Sequence, residues 1–134
     1  MEDVTDHSRM EVLSSAECFE LLSTVPIGRL AYVADGAPQI FPIAFGVHGS
    51  RIVFRSATGS KLDAAEMQRQ VAFEADAWDP ATRSGWSVVV QGMARHVTDA
   101  DDLSRLDFKP WLSNEGMEWV EILVEDISGR RLPG

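Results

Sequence analysis

Apolar residues recur along the chain with two spacings, one helical and one alternating, and the helical spacing comes first. Ser14 and Glu17 match a capping box, the side-chain pattern that begins many helices. The apolar residues that follow recur every three or four positions, which predicts a helix over about 14–23. Pro26 and Gly28 interrupt this pattern, so we expect the helix to have ended before them.

Six later segments are typical of β-strands joined by short turns. Asp35 and Gly36 form a hairpin signal between the first two of these segments. The predicted strands, in chain order, are residues 29–34, 38–47, 51–55, 70–78, 86–98 and 118–127. Two small helices are expected between strands, at about 60–69 and 99–108. The pattern therefore predicts a mainly β fold, a compact antiparallel barrel with a few small helices.

Two residues inside the predicted strands indicate irregular pairing. Pro42 has no backbone N–H to give to a ladder, which predicts that its strand lies at an edge or carries a bulge. Gly92 predicts a bulge or a bend in the long strand over 86–98. We expect residues 1–12 to be flexible and residues 13–134 to form a single domain, with a short tail after residue 127.

Composition and charge narrow the class of protein. The chain has 134 residues, 45% of them hydrophobic, and a formal net charge of −9, which argues against a protein that binds duplex nucleic acid. It has no apolar run long enough to span a bilayer, and its acidic beginning is unlike a signal peptide, so we expect a cytoplasmic protein. Cys18 is the single cysteine, more typical of a small buried residue than of a reactive thiol. The three histidines have no metal-ligand spacing, and we expect no metal site.

One acid-free stretch contrasts with this acidic balance. No Asp or Glu occurs from Gly36 to Leu62, although Arg55 and Lys61 fall there with Ser and Thr residues between them. A strand that ends near Arg55 and a helix that begins at Ser60 could hold a phosphate between two cations, backbone N–H groups and hydroxyls. The alternative is that both cations are solvated charges around an ordinary loop.

A second acid-free stretch, residues 80–98, strengthens the first interpretation. It contains Arg83, Arg95, Trp86 and Ser87, and a pocket for one anionic ligand would explain both stretches. The alternative is that central strands exclude acids because they are buried, which accounts for the valines at 88–90 better than for the loops.

The motifs, taken in order, resemble those of a known family. They read G-R-L-A-Y, x-P-I-A-F, R-I-V-F-R-S-A-T-G-S-K-L, V-A-F-E-A-D, G-W-S-V-V-V-Q-G-x-A and I-S-G-R-R-L. From about residue 13 to residue 132 the chain is similar to the pyridoxamine 5′-phosphate oxidase-like split-barrel proteins that bind flavin mononucleotide (FMN). The resemblance is to their small bacterial branch, which includes nitroimidazole-reductase-like members.

The resemblance implies a six-stranded antiparallel split β-barrel that forms a homodimer, with FMN bound at the subunit interface. It assigns four groups of residues to the cofactor. The phosphate segment comprises Arg55, Ser56, Thr58, Ser60 and Lys61. The strand beside the flavin ring is formed by Pro42, Ile43, Ala44 and Phe45, and a second strand, expected from the partner subunit, contributes Trp86 and Ser87. Arg130 and Arg131 match a terminal motif near the ring edge. Trp86 could equally be a residue of the dimer core, and the two arginines part of a solvated tail.

The resemblance also implies a function, a small flavin-dependent oxidoreductase acting on a compact organic acceptor. We do not expect oxidation of vitamin B6, because nothing in the sequence matches the carboxy-terminal substrate-binding segment of full-length oxidases. The residue at position 55 also departs from nitroimidazole-reductase-like members, so that specialised activity is not implied. Two alternatives stay open: a non-catalytic module that stores or senses flavin, and a reductase that uses a deazaflavin on the same fold. No residue stands out as a general acid or base.

Overall fold

Seven strands and one helix make up the part of the chain that the computed structural model describes, residues 10–57, 69–97 and 117–134. In chain order they are β1 (Glu11–Val12), α1 (Ser15–Leu22), β2 (Ile27–Ala34), β3 (Ala37–His48), β4 (Arg51–Ala57), β5 (Arg69–Asp79), β6 (Ser84–His96) and β7 (Met117–Leu132). The predicted helices at 60–69 and 99–108 lie outside the described residues, except that Arg69 begins β5. No helix in the described part is long and apolar enough to cross a membrane.

The first helix begins as the sequence predicts. The Glu17 N–H donates to the Ser14 hydroxyl over 3.2 Å, and the Ser14 N–H donates to the Glu17 carboxylate over 3.0 Å. These reciprocal hydrogen bonds satisfy donors that would otherwise be unpaired at the start of a helix. The hydrogen bond from the Ser14 backbone is the main cause that lowers the pKa of the Glu17 carboxyl, because it stabilises the charged form.

Six of the strands close into a ring. Their order is β7–β4–β3–β2–β5–β6, and β6 pairs again with β7. All six pairings are antiparallel, so the prediction of a mainly β fold built on six antiparallel strands is confirmed. Alternate residues of each strand point inward, and the ring encloses a core whose largest fully buried members include Phe54, Phe73 and Leu30.

The ring is split between β3 and β4. Their pairing ends at Phe45 and Phe54, and among the described strands residues 37–44 of β3 pair with β2 alone. Pro42 therefore lies on a strand with one open side, where its missing N–H costs no ladder hydrogen bond. The prediction of an edge position for Pro42 is confirmed.

The pairing of β6 with β7 is irregular next to Gly92. Gln91 pairs with Asp126 and Gly92 with Val124, so Glu125 of β7 is the extra residue of a β-bulge. A Cβ at position 92 would overlap the carbonyl oxygen of Leu123, so the close approach of β7 requires glycine there. The predicted irregularity at Gly92 is confirmed, but the extra residue lies in β7 and not in the strand over 86–98.

The predicted tail after residue 127 is wrong, because β7 continues to Leu132. Its last residues pair with β6 on one side and with β1 on the other. At Gly129 an added Cβ would lie 2.7 Å from the Cys18 Sγ, so glycine allows α1 to pack on the strand. Arg131 also lies 3.9 Å from the Glu11 carboxylate and 3.8 Å from that of Glu17. Most of segment 1–12 is outside the described residues, but its last two form β1.

Cys18 is fully buried, as predicted for a small apolar residue. It belongs to the core cluster and lies under β7, next to Gly129. Burial raises the pKa of its thiol, because the thiolate would lose its hydration. The neutral thiol therefore suits this position.

A buried carboxylate on β7 holds two arginines from the neighbouring strands. Glu121 is 3% exposed, and it accepts hydrogen bonds from Arg95 on β6 over 2.7 Å and from Arg51 on β4 over 3.0 Å. Both arginines come from the acid-free stretches of the sequence, and β7 supplies their acidic partner. Arg95 is thus engaged in a structural ion pair on the wall of the ring.

We expect Arg51→Ala and Arg95→Ala each to lower the free energy of unfolding by about 1–2 kcal/mol, and the double variant by more than their sum. With both arginines gone, the Glu121 carboxylate is buried without compensation. Adding Glu121→Gln to the double variant should then recover part of the loss, since no buried charge remains. Urea unfolding of the parent protein and the four variants measures these differences; a double variant that Glu121→Gln destabilises further would contradict this account.

Candidate functional site

The split between β3 and β4 brings two groups of predicted site residues to facing edges. If the antiparallel register continued past Phe45 and Phe54, Ala44 would oppose Arg55 and Ile43 would oppose Ser56. Instead the two strands separate, and Arg55 and Ser56 pair with β7 on their other side. Among the described residues, the result is a cleft with β3 backbone that has no strand partner at one edge and a cation and a hydroxyl at the other.

The residues predicted to lie beside a flavin ring alternate between the core and the outer surface. Ile43 and Phe45 are 9% and 3% exposed and belong to the core cluster. Pro42 is exposed and Ala44 is half-buried, so these two face outward. The side chains of Ile43 and Phe45 therefore build the wall, and the backbone with Pro42 and Ala44 forms the surface of the cleft.

Arg55 is held against an aromatic ring that the sequence analysis did not single out. Its guanidinium carbon lies 4.8 Å from the ring centroid of Trp119, the residue directly opposite it on β7. Both side chains are half-buried. The remaining residues of the predicted phosphate segment, Thr58, Ser60 and Lys61, lie outside the described residues.

The second predicted group lies where β5, β6 and β7 run side by side. Ser87 pairs with Asp76 on β5 and with Arg130 on β7. Ser87 is half-buried and Arg130 is exposed, with one guanidinium N–H donating to the Gly129 carbonyl over 3.3 Å. Trp86 is 9% exposed and points into the chain's own core, because it alternates inward with the valines that follow.

One copy of the chain does not bring these two groups together. The strands that carry Pro42 and Ser87, β3 and β6, are three places apart in a ring of six and so lie on opposite sides. Along β7, Arg130 follows Trp119 by eleven positions, a contour of about 36 Å. The predicted residues therefore form two separate half-sites: a cleft half-site with Arg55, and an outer half-site with Ser87 and Arg130.

A charged cluster on the outer face lies between these half-sites and was missed in the sequence. Arg29 on β2 is 3.4 Å from the Glu74 carboxylate and 3.8 Å from that of Asp76, both on β5. Arg29 also pairs directly with Pro42, and Asp76 with Ser87. Alternation in β5 indicated that the two acids share a face, but no local pattern could indicate Arg29, which is 45 residues away in sequence.

The cluster perturbs one carboxyl strongly. Partial burial is the main cause that raises the pKa of Glu74 to about 7, and a hydrogen bond and the negative charge from Asp76 add to it. The positive charge of Arg29 opposes this rise without cancelling it. The carboxyl groups of Glu74 and Asp76 thus share Arg29 as a cation, and Glu74 is partly protonated near neutral pH. No group of three or more His, Cys, Asp or Glu side chains in the described ranges is arranged to hold a metal ion.

The raised pKa makes stability depend on pH with a definite sign. The folded-state value of about 7 exceeds the ordinary value of 4.5, so the folded protein binds the proton more tightly than the unfolded chain. The stability that the protonated Glu74 carboxyl contributes is fully present below pH 4.5, and it is lost as the pH rises through about 7. We expect Glu74→Gln to remove that loss and to be more stable than the parent protein at pH 8.

Thermal or urea unfolding between pH 4 and pH 8 tests this expectation. Glu20→Gln, which changes an exposed carboxyl on α1, is the matched control and should follow the parent curve. A Glu74→Gln curve parallel to that of the parent over the whole range would contradict the assignment.

Comparisons with known proteins agree with this architecture. The family model described as pyridoxamine 5′-phosphate oxidase matches residues 14–131. The uncharacterized protein Rv0080 of Mycobacterium tuberculosis is 32% identical over 127 residues, which are 90% of this chain and 84% of that protein. The solved structure of the FAD binding protein from Mycobacterium smegmatis has a TM-score of 0.80 and 40% identity, covering 92% of this chain and 99% of that one. An FAD-binding protein from Mesorhizobium loti has a TM-score of 0.72 and 25% identity, with 91% and 97% covered. The chain belongs to the pyridoxamine 5′-phosphate oxidase family.

Proposed function

We propose that this protein binds a flavin nucleotide in the cleft half-site and acts as a small flavin-dependent oxidoreductase on a compact organic acceptor. The observation that carries the proposal is the split between β3 and β4, where unpaired backbone faces Arg55 and Ser56. Family membership and the flavin-binding relatives support the same ligand class.

The residues present fit the two chemical parts of such a ligand. The phosphate that follows the ribityl chain is matched by the Arg55 guanidinium and the Ser56 hydroxyl, with Thr58, Ser60 and Lys61 added from the sequence. The planar ring system carries hydrogen-bonding edges, which backbone groups of residues 42–45 can meet along the open side of β3. A strand paired on both sides would have no such groups to offer.

The sequence favours FMN, while two structural relatives carry FAD in their names. FMN and FAD share the ring and the first phosphate, so the cleft half-site fits both. Chromatography of the flavin released by heat from the purified protein distinguishes them, and a deazaflavin would differ from both in its spectrum. FMN stays our prediction for the cofactor.

A bound flavin supplies the hydride and electron chemistry itself, so the chain needs no acid–base pair of its own for the transfer. The chain's residues bind the flavin, orient one ring face toward the acceptor and exclude water from the other. Steady turnover with NADH or NADPH and an organic acceptor supports the oxidoreductase. Retained flavin that no reductant turns over would favour the alternative, a module that stores or senses flavin.

We further propose that the working unit is a homodimer, in which the outer half-site of one copy completes the cleft half-site of the other. The two half-sites lie on opposite sides of one ring, so a two-fold arrangement could join them twice. The outer face also exposes large apolar side chains, Ile40 at 70%, Val33 at 62% and Val89 at 40%, which a second copy could cover.

Absorbance titration with flavin, followed by desalting, tests the ligand. The parent protein should retain a structured flavin band, and the double variant Arg55→Ala/Lys61→Ala should bind at least about 3 kcal/mol more weakly, since each charge-assisted hydrogen bond contributes roughly 1.5–3 kcal/mol. Arg105→Ala/Lys109→Ala removes the same residue types and the same charge outside the predicted phosphate segment and is the matched control for the change in net charge. Equal flavin content in the three proteins would contradict the phosphate assignment.

Light scattering should give twice the chain mass of 14.8 kDa. A sharper test mixes two variants, Arg55→Ala/Lys61→Ala and Ser87→Ala/Arg130→Ala, each impaired in flavin binding by itself. After random exchange of subunits, mixed dimers should restore about one quarter of the sites, because each mixed dimer contains one intact pair of half-sites. A monomer that binds flavin, or mixing without recovery, would overturn the dimer.

A further inference from the structure

We propose that Trp119 is a positioning residue, which holds the Arg55 guanidinium in the orientation that receives the flavin phosphate. This inference rests on the proposed function, because Arg55 is the residue assigned there to the phosphate. It adds a role for a tryptophan that neither the motifs nor the family resemblance marks as functional.

The backbone on both sides of Trp119 is fixed. Its position on β7 pairs with Arg55 on β4, and its carbonyl accepts the Val97 N–H over 3.0 Å. The backbone of Trp119 is therefore held in place next to the point where β4 leaves β3. Directly opposite residues are the closest neighbours across two antiparallel strands, so the Trp119 ring contacts Arg55 at short range.

The type of contact suits a phosphate ligand. The guanidinium carbon lies 4.8 Å from the ring centroid, a cation–π distance. A stacked guanidinium touches the ring with its face, while its N–H groups point outward in its own plane, where they can donate to oxygens. The contact also leaves the positive charge in place.

The test compares FMN with riboflavin, which has the same ring and ribityl chain but no phosphate. Trp119→Leu should weaken FMN binding about 3- to 30-fold, the range that a cation–π contact supports, and should leave riboflavin binding within about twofold. Trp119→Phe keeps a weaker ring and should show a smaller loss of the same kind. Because Trp119 acts through Arg55, the double variant Arg55→Ala/Trp119→Leu should bind FMN no more weakly than Arg55→Ala alone.

Ile122→Val, a core change three residues further along β7, is the control for a general loss of stability, and melting temperatures are measured for every variant. If Trp119→Leu folds poorly, Trp119→Phe and its double variant with Arg55→Ala give the same comparison. Equal losses for FMN and riboflavin, or additive losses in the double variant, would overturn the positioning role. A parent protein without any preference for FMN over riboflavin would instead overturn the phosphate assignment of the proposed function.

Discussion

Closure of the ring by β7 is the constraint on which the rest of the structure depends. This strand is shared: its first half pairs with β4, its second half pairs with β6, and the two pairings overlap only between Val120 and Leu123. Within that overlap Glu121 lies buried between two arginines, and directly after it Gly92 permits the close approach of β6 to β7 beside the bulge. An ordinary edge strand could not close a ring in this way, because it would leave one row of backbone groups unpaired.

The same closure separates the candidate site into halves. Because β7 is long, Trp119 at one end helps to form the cleft half-site and Arg130 near the other end belongs to the outer half-site. The cleft exists because β3 pairs with β4 over four positions and then departs from it. A packed core on the inner face excludes a ligand there, so the cofactor proposal has to use open strand edges and the outer surface, where a second copy can take part.

The sequence predicted the features that local chemistry determines. The capping box at Ser14, the edge position of Pro42 and the irregular pairing at Gly92 each follow from the residue's own hydrogen-bonding or steric properties. What it missed depends on distant pairing. The continuation of β7 past residue 127 requires β1 and β6 on either side, and the Arg29 cluster joins β2 to β5. The residues on the two edges of the cleft were assigned to a cofactor by family resemblance, and the register of β3 against β4 is what brings these edges to face each other.

Pairing between strands also changes how the charge pattern of the sequence is interpreted. A stretch without acids suggested several cations available for an anion, yet Glu121 reaches two of the arginines from a strand that is distant in sequence. Counting charges along the chain therefore overestimates the positive surface, since antiparallel neighbours contribute their own charges. The residue opposite Arg55 on β7 is Trp119, whose ring contacts the guanidinium. The contact orients the guanidinium, and the geometry of this one pair, in place of a count of cations along the chain, carries the anion-binding hypothesis for Arg55.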